Sequence, residues 1–163
     1  MTTAVRGTNP YMNVGDYIST IKRQIINENQ EIPLIQKALD ITFKTLEFGW
    51  DIENGGIFYF KDVKGHPPQQ LEWDQKLWWV HVEALVALAK GYVLTKDIRC
   101  VEWFQKIHEY TWSHFKDPHY GEWFGYLQRD GVLTQPAKGN LFKGAFHVPR
   151  QEWYCWQLLK NRK

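Results

Sequence analysis

Two cysteines are all that 163 residues contain, Cys100 and Cys155, and neither belongs to a CxxC or CxxH pattern. That scarcity argues against a disulfide framework and against a dithiol redox motif, and leaves two free thiols as the expectation. His114 and His119 lie five apart without a convincing third ligand, so no zinc site is expected. Charge of one sign is also missing: twenty basic residues face eighteen acidic ones, for a net charge of +2. A nucleic-acid or membrane-surface partner would call for a stronger basic footprint, so neither is expected. No window approaches eighteen apolar residues, and the opening MTTAVRGTNPYMNVGDY has no apolar core of the signal-peptide kind. The expected location is therefore the cytoplasm. The glycine-rich phosphate loops and the GxSxG elbow are absent as well, which removes the common nucleotide-cradling and serine-hydrolase motifs.

Aromatic residues are abundant instead. Nine Trp, eight Tyr and nine Phe make up 16% of the chain, within an ordinary hydrophobic fraction of 44%. Such a surplus suits a deep cavity where flat rings stack on apolar ligand faces and sugar C–H surfaces, although a tryptophan-rich core would use them too. The length fits one domain with a real core.

Periodicity divides the chain into helices joined by aromatic extended pieces. Ile18, Ile21, Ile25 and Ile26 recur at helical spacing between Tyr17 and Asn29, after a polar, loosely attached segment over residues 1–18. A second helix is expected from Pro33, suited to a first turn, to Phe48, with Gly49 ending it. GGIFYFKDVKG reads as an extended, hairpin-like piece. From Lys76 to Thr95 the sequence is apolar on nearly all sides, the mark of a helix buried between layers. A further helix is capped by Asp97 and stops before Asp117-Pro118. GEWFGYLQRDG is a second extended piece, and a last helix runs from Val148 to Leu159 with Pro149 in its first turn.

These pieces repeat. At an offset of 66, without a gap, Asp51 aligns with Asp117, Gly55 with Gly121, Phe58 with Phe124, Gly65 with Gly131, His81 with His147 and Val82 with Val148. A helix-pair unit repeated at this period implies an array or ring of such units, here an α/α toroid whose buried helices line a funnel.

Chemistry-bearing residues cluster in these repeats. Trp79 and Glu83 are four apart and share a helix face, whereas His81 and Glu83 diverge by roughly 160° about the axis. A glutamate inside so apolar a helix is costly unless paired or wetted, so Glu83 is either half of a buried ion pair or part of a site. His147 stands at a loop-to-helix junction, within GNLFKGAFHVPR. A helix N-terminus favours neutral imidazole, the state a general base needs, although a lone histidine is more often a cap or a core residue.

The blocks GGIFYFKDVKGHPPQQLEWDQKLWWVHVEAL, GEWFGYLQRDG and KGAFHVPR resemble the C-terminal half of the N-acylglucosamine 2-epimerases, over about residues 33–159. The resemblance implies an all-α fold, part of an (α/α)6 barrel with aromatic hairpin loops, occupying residues 19–163. It implies interconversion of N-acylglucosamine and N-acylmannosamine by removal and return of the C2 proton. An amino sugar would be the small-molecule partner, with no cofactor beyond a nucleotide effector such as ATP in some members. Two-face chemistry needs two acid/base groups, a task that suits histidine. The family's FHVPR histidine matches His147, and the glutamate of its WWxHxEA motif matches Glu83. Trp79 is then the candidate for stacking on the sugar, and His81, counterpart of His147, is a candidate substrate contact.

The departures matter equally. The family's partner histidine lies in a GHxxEA motif one repeat earlier, and a substrate-binding arginine lies further upstream. Neither motif occurs here, and the position 66 before His81 is Gly15. Five helices are expected where a full barrel needs about twelve. A truncated barrel would seek its missing N-terminal half or self-associate. Two alternatives follow: a sugar-binding remnant without turnover, and an aldose–ketose isomerase or cellobiose 2-epimerase on the same barrel.

Overall fold

A computed structural model describes residues 28–160, with side chains from Pro33 onward. The expected loose segment at residues 1–18, and the helix from Tyr17 apart from its last two residues, lie outside the described residues. Among the described residues there are four helices: α1 (Glu28–Gly49), α2 (Trp78–Thr95), α3 (Ile98–His114) and α4 (His147–Leu159). Two short strands, β1 (Lys76–Leu77) and β2 (Tyr126–Leu127), join the loops that precede α2 and α4.

Helix α1 corrects one expectation. It begins at Glu28, so Pro33 sits inside it rather than in its first turn, and Glu28 and Asn29 belong to it rather than to a preceding helix. A proline there forfeits one intrahelical hydrogen bond, just past the four donors that any helix start leaves unpaired. Beyond it, Ile35, Ala38, Leu39, Thr42, Phe43 and Leu46 form a buried stripe at three- and four-residue spacing.

Helix α2 is the centre of the molecule. Every residue from Val80 to Gly91 is buried, against α1, α3 and α4. Each buried Leu or Val, such as Leu85 or Val82, contributes about 1.5–3 kcal/mol. The helix starts two residues later than its apolar run suggests, because Lys76 and Leu77 pair antiparallel with Leu127 and Tyr126. Helix α3 begins where expected: the Asp97 side chain accepts from Arg99 N–H at 3.0 Å. Asp97→Ala removes that cap, and a loss of about 1 kcal/mol in the free energy of urea unfolding is the expected result.

The repeat is visible in the backbone. Trp50 bridges Ile57 and, 66 residues on, Lys116 bridges Trp123. Phe58 N–H donates to Gly49 O, and Phe124 N–H donates to Phe115 O. Asp51 Oδ1 accepts from Glu53 and Asn54 N–H, and Asp117 Oδ1 accepts from His119 and Tyr120 N–H. Past the first turn no hairpin ladder forms; Tyr59 and Phe60 N–H bond the carbonyls of Gln75 and Trp73. The second piece does close into a hairpin, with Gln128 N–H on Val132 O and Gly131 at a φ of 87°. Strand pairing thus runs between the two loops as well as within the second.

A buried charge cluster ties these loops together. Lys76 and Asp51, 0% and 1% exposed, pair at 3.0 Å, and Arg129 Nε reaches Asp51 Oδ2 at 2.9 Å. Burial pushes the Asp51 carboxyl up, but hydrogen bonds from Arg129 and Lys76 outweigh it and hold Asp51 well below the usual carboxylate range. Burial pulls the Lys76 ammonium down to about 8 in spite of Asp51. Cys100 and Cys155 are both free and buried. Among the described residues no helix is long and apolar enough to cross a membrane.

Candidate functional site

The site forms where the middle of α2 meets the start of α4. Glu83 projects from α2 and is 5% exposed. Both α4 partners lie in the first turn, at the three-residue spacing that puts side chains on one face: His147 and Arg150. His147 Nδ1 is 2.8 Å from Glu83 Oε1. Arg150 Nη1 donates to Glu83 Oε1 at 2.7 Å and to Oε2 at 2.6 Å. Burial raises the Glu83 carboxyl, yet the hydrogen bond to His147 and the Arg150 guanidinium outweigh it and hold Glu83 below its ordinary value.

An ionised carboxylate only accepts, so it is His147 Nδ1 that carries the hydrogen. The other nitrogen, Nε2, has no partner among the described residues. The His147 side chain is 18% exposed. Trp79 packs on the imidazole, with ring centroids 5.9 Å apart and 29° between planes, and meets Tyr59 edge-on at 6.1 Å. Trp78 meets the other side edge-on at 6.2 Å. The histidine is therefore oriented by a carboxylate at one nitrogen and by indole rings around it.

Of the residues singled out from the sequence, the fold gathers Glu83, His147 and Trp79, and leaves His81 apart. His81 is 0% exposed. Its Nδ1 lies 2.7 Å from Leu77 O, and its Nε2 accepts from Ile57 N–H at 2.9 Å. Burial pulls it down to about 3, so it is neutral, with Nδ1 the donor. Both nitrogens are occupied inside the core, which leaves the substrate contact expected of His81 no free group to make it. Its task is to hold the first aromatic turn against α2.

Arg150 escaped the residue-by-residue reading. It has no repeat counterpart of its own kind, since the position 66 before it is Ala84. Its three-residue distance from His147 was the available signal, given a buried glutamate in need of a cation. Among the described residues no group of three or more His, Cys, Asp or Glu side chains could hold a metal ion.

The arrangement of helices has close parallels. A crystal structure titled as a D-mannose isomerase superposes with a TM-score of 0.70 at 22% identity, over 94% of this chain and 38% of that one. The described helices thus have the fold of a part of that protein. The profile of the N-acylglucosamine 2-epimerase (GlcNAc 2-epimerase) family matches residues 16–147, and the chain belongs to that family. It is 49% identical over 128 residues to the N-acylglucosamine 2-epimerase of Bos taurus, covering 78% of this chain and 30% of the relative. With the human enzyme of the same name it shares 46% over 126 residues, covering 77% and 29% respectively. The chain thus spans about a third or less of the length of these relatives.

Proposed function

We propose that this chain carries one proton-transfer half of a sugar 2-epimerase site, acting on N-acylglucosamine and N-acylmannosamine. One observation carries the reading: a partly exposed histidine whose Nδ1 is held by a buried, Arg150-clamped glutamate and whose Nε2 is bare. That is the arrangement of a general base kept in one tautomer. With the sugar in its open-chain aldehyde form, Nε2 takes the C2 proton. The C2–H electron pair becomes the C1=C2 double bond, and the aldehyde oxygen takes the negative charge. Glu83 then faces an imidazolium and stabilises it, while Arg150 keeps Glu83 ionised. Return of the proton from His147 restores the starting sugar; delivery to the opposite face gives its epimer.

Delivery to the opposite face needs a second acid. Among the described residues no other histidine is bonded to or stacked on this group. On this reading that acid comes from a GHxxEA motif of the family kind, which does not occur in these 163 residues, within an (α/α)6 barrel. The second reading, a sugar-binding remnant, rests on the same observation. The test is proton NMR of N-acetylmannosamine in deuterium oxide with the purified chain. Loss of the C2 proton signal is the expected result, with or without appearance of the epimer. A folded chain that leaves the C2 proton in place sinks the base assignment, and calorimetric binding of the sugar in that case would favour the remnant.

A further inference from the structure

His81 and His147 occupy equivalent positions of the repeat, yet one is locked in the core and the other reaches the site. Two hydrogen bonds differ between the units, and so does the cover, since His81 packs on Tyr110 and Phe115. In the first unit His81 Nε2 accepts from Ile57 N–H, and the counterpart donor in the second unit is Trp123 N–H. That donor goes instead to Glu122 Oε1, at 2.8 Å. In the first unit His81 Nδ1 bonds Leu77 O, whose counterpart is the Lys143 carbonyl. That acceptor is taken by Asn140 N–H at 3.0 Å. Trp123 N–H, the counterpart of the donor that holds His81 Nε2, is thus committed to Glu122.

The first of these differences traces to one residue. Glu122 aligns with Gly56 at the offset of 66. A Cβ on Gly56 would lie 2.6 Å from Tyr110 ring atoms, so the first turn can carry no side chain there and must borrow an acceptor from His81. The second turn does carry a side chain, although Glu122 has a φ of 53°, in the left-handed region that favours glycine. Its carboxylate caps the next N–H and is held by Lys143 Nζ at 3.0 Å, an ammonium group that is itself buried and also donates to Lys138 O.

We propose that Glu122 is a positioning residue which, by capping Trp123 N–H with its own carboxylate, releases His147 from the structural role of its repeat counterpart and leaves Nε2 free for proton transfer. The inference rests on the reading of His147 as the base. It adds a residue that touches neither the sugar nor the imidazole. Glycine at 122 leaves the turn comfortable but removes the acceptor of Trp123 N–H, a partly buried donor that then needs a new one. The nearest pattern that satisfies it is the one already used by His81.

The test uses histidine labelled with 15N in the full chain and long-range proton–nitrogen NMR, with His81 as the internal standard for an Nε2 that accepts from an amide. In the wild-type chain, His147 Nε2 is expected at the position of an unbonded ring nitrogen, apart from that of His81. In Glu122→Gly it moves to the His81 position, and C2 exchange falls at least tenfold. Glu122→Gln keeps an oxygen for Trp123 N–H and retains both the wild-type ring signal and the exchange. Glu122→Ala, which keeps a Cβ at the turn, gives the same displacement as glycine. Ring signals of His147 that stay in place in the glycine and alanine variants, with His81 unchanged as proof of fold, overturn the proposal. So does a glutamine variant that behaves like glycine. Ring signals that respond as expected without C2 exchange by the wild-type chain sink the base assignment alone, and the release of His147 stands.

Discussion

His147→Ala is expected to slow C2 proton exchange on N-acetylmannosamine by about 10²–10⁴-fold, the range a positioned general base contributes. Calorimetric affinity for the sugar should change little, because the imidazole is asked to move a proton and not to anchor the ligand. The fold should tolerate the change: the ring is partly exposed, and Glu83 keeps Arg150 as a partner at 2.6 Å. The split between rate and affinity is the informative part. A variant that loses binding and exchange together would make His147 a binding residue, and one that keeps its exchange rate would remove it from the chemistry.

Asp51→Asn is expected to cost stability far from that chemistry. It leaves Lys76, with no exposed side-chain surface, as a buried charge without its counter-ion, and removes the anion that Arg129 grips. Breaking one partner of a buried pair costs about 3–5 kcal/mol, and replacing both with apolar groups costs much less. Urea unfolding should therefore show the double variant Lys76→Met with Asp51→Asn regaining most of what the single variant loses. The acid dependence follows from the sign of the Asp51 shift. Its folded value lies below its unfolded one, so its contribution is full above about pH 4 and fades as pH falls toward the folded value. The deficit of Asp51→Asn should narrow correspondingly in strong acid. A single variant within about 1 kcal/mol of wild type at neutral pH would show that water reaches Lys76 after all.

Much of this was legible in the residues. The all-round apolar run through α2 announced a central helix, and Asp97 announced the start of α3. The 66-residue register announced two turns that share their bridges and their aspartate-capped N–H groups. Limits of the elements were less clear for identifiable reasons. Lys76 and Leu77 are apolar-compatible with α2, and only their pairing with β2, 50 residues away in sequence, withdraws them from it. Pro33 resembles a helix start, yet upstream residues extend the helix beyond it. At the site, helix geometry separated His81 from Glu83, but nothing in their spacing showed that Glu83 meets His147 across two helices. The symmetry of the repeat paired the two histidines without telling that His81 has both ring nitrogens bonded in the core. The clue to their divergence was the mismatch of Gly56 with Glu122 amid matching turn residues.

The uniform burial of α2 has a consequence for how the chain is made. Its last residue, Thr95, leaves the ribosome 64 residues before Leu159 completes α4. At about 5–20 residues per second that interval lasts roughly 3–13 s, during which the most apolar helix has α1 and a growing α3 for cover but not α4. The side of α2 that carries Glu83 is thus the last to be sheltered, and the segment that shelters it is the one that delivers His147. The nascent chain is therefore most open to chaperones and to misassociation on this side of α2 just before its histidine arrives.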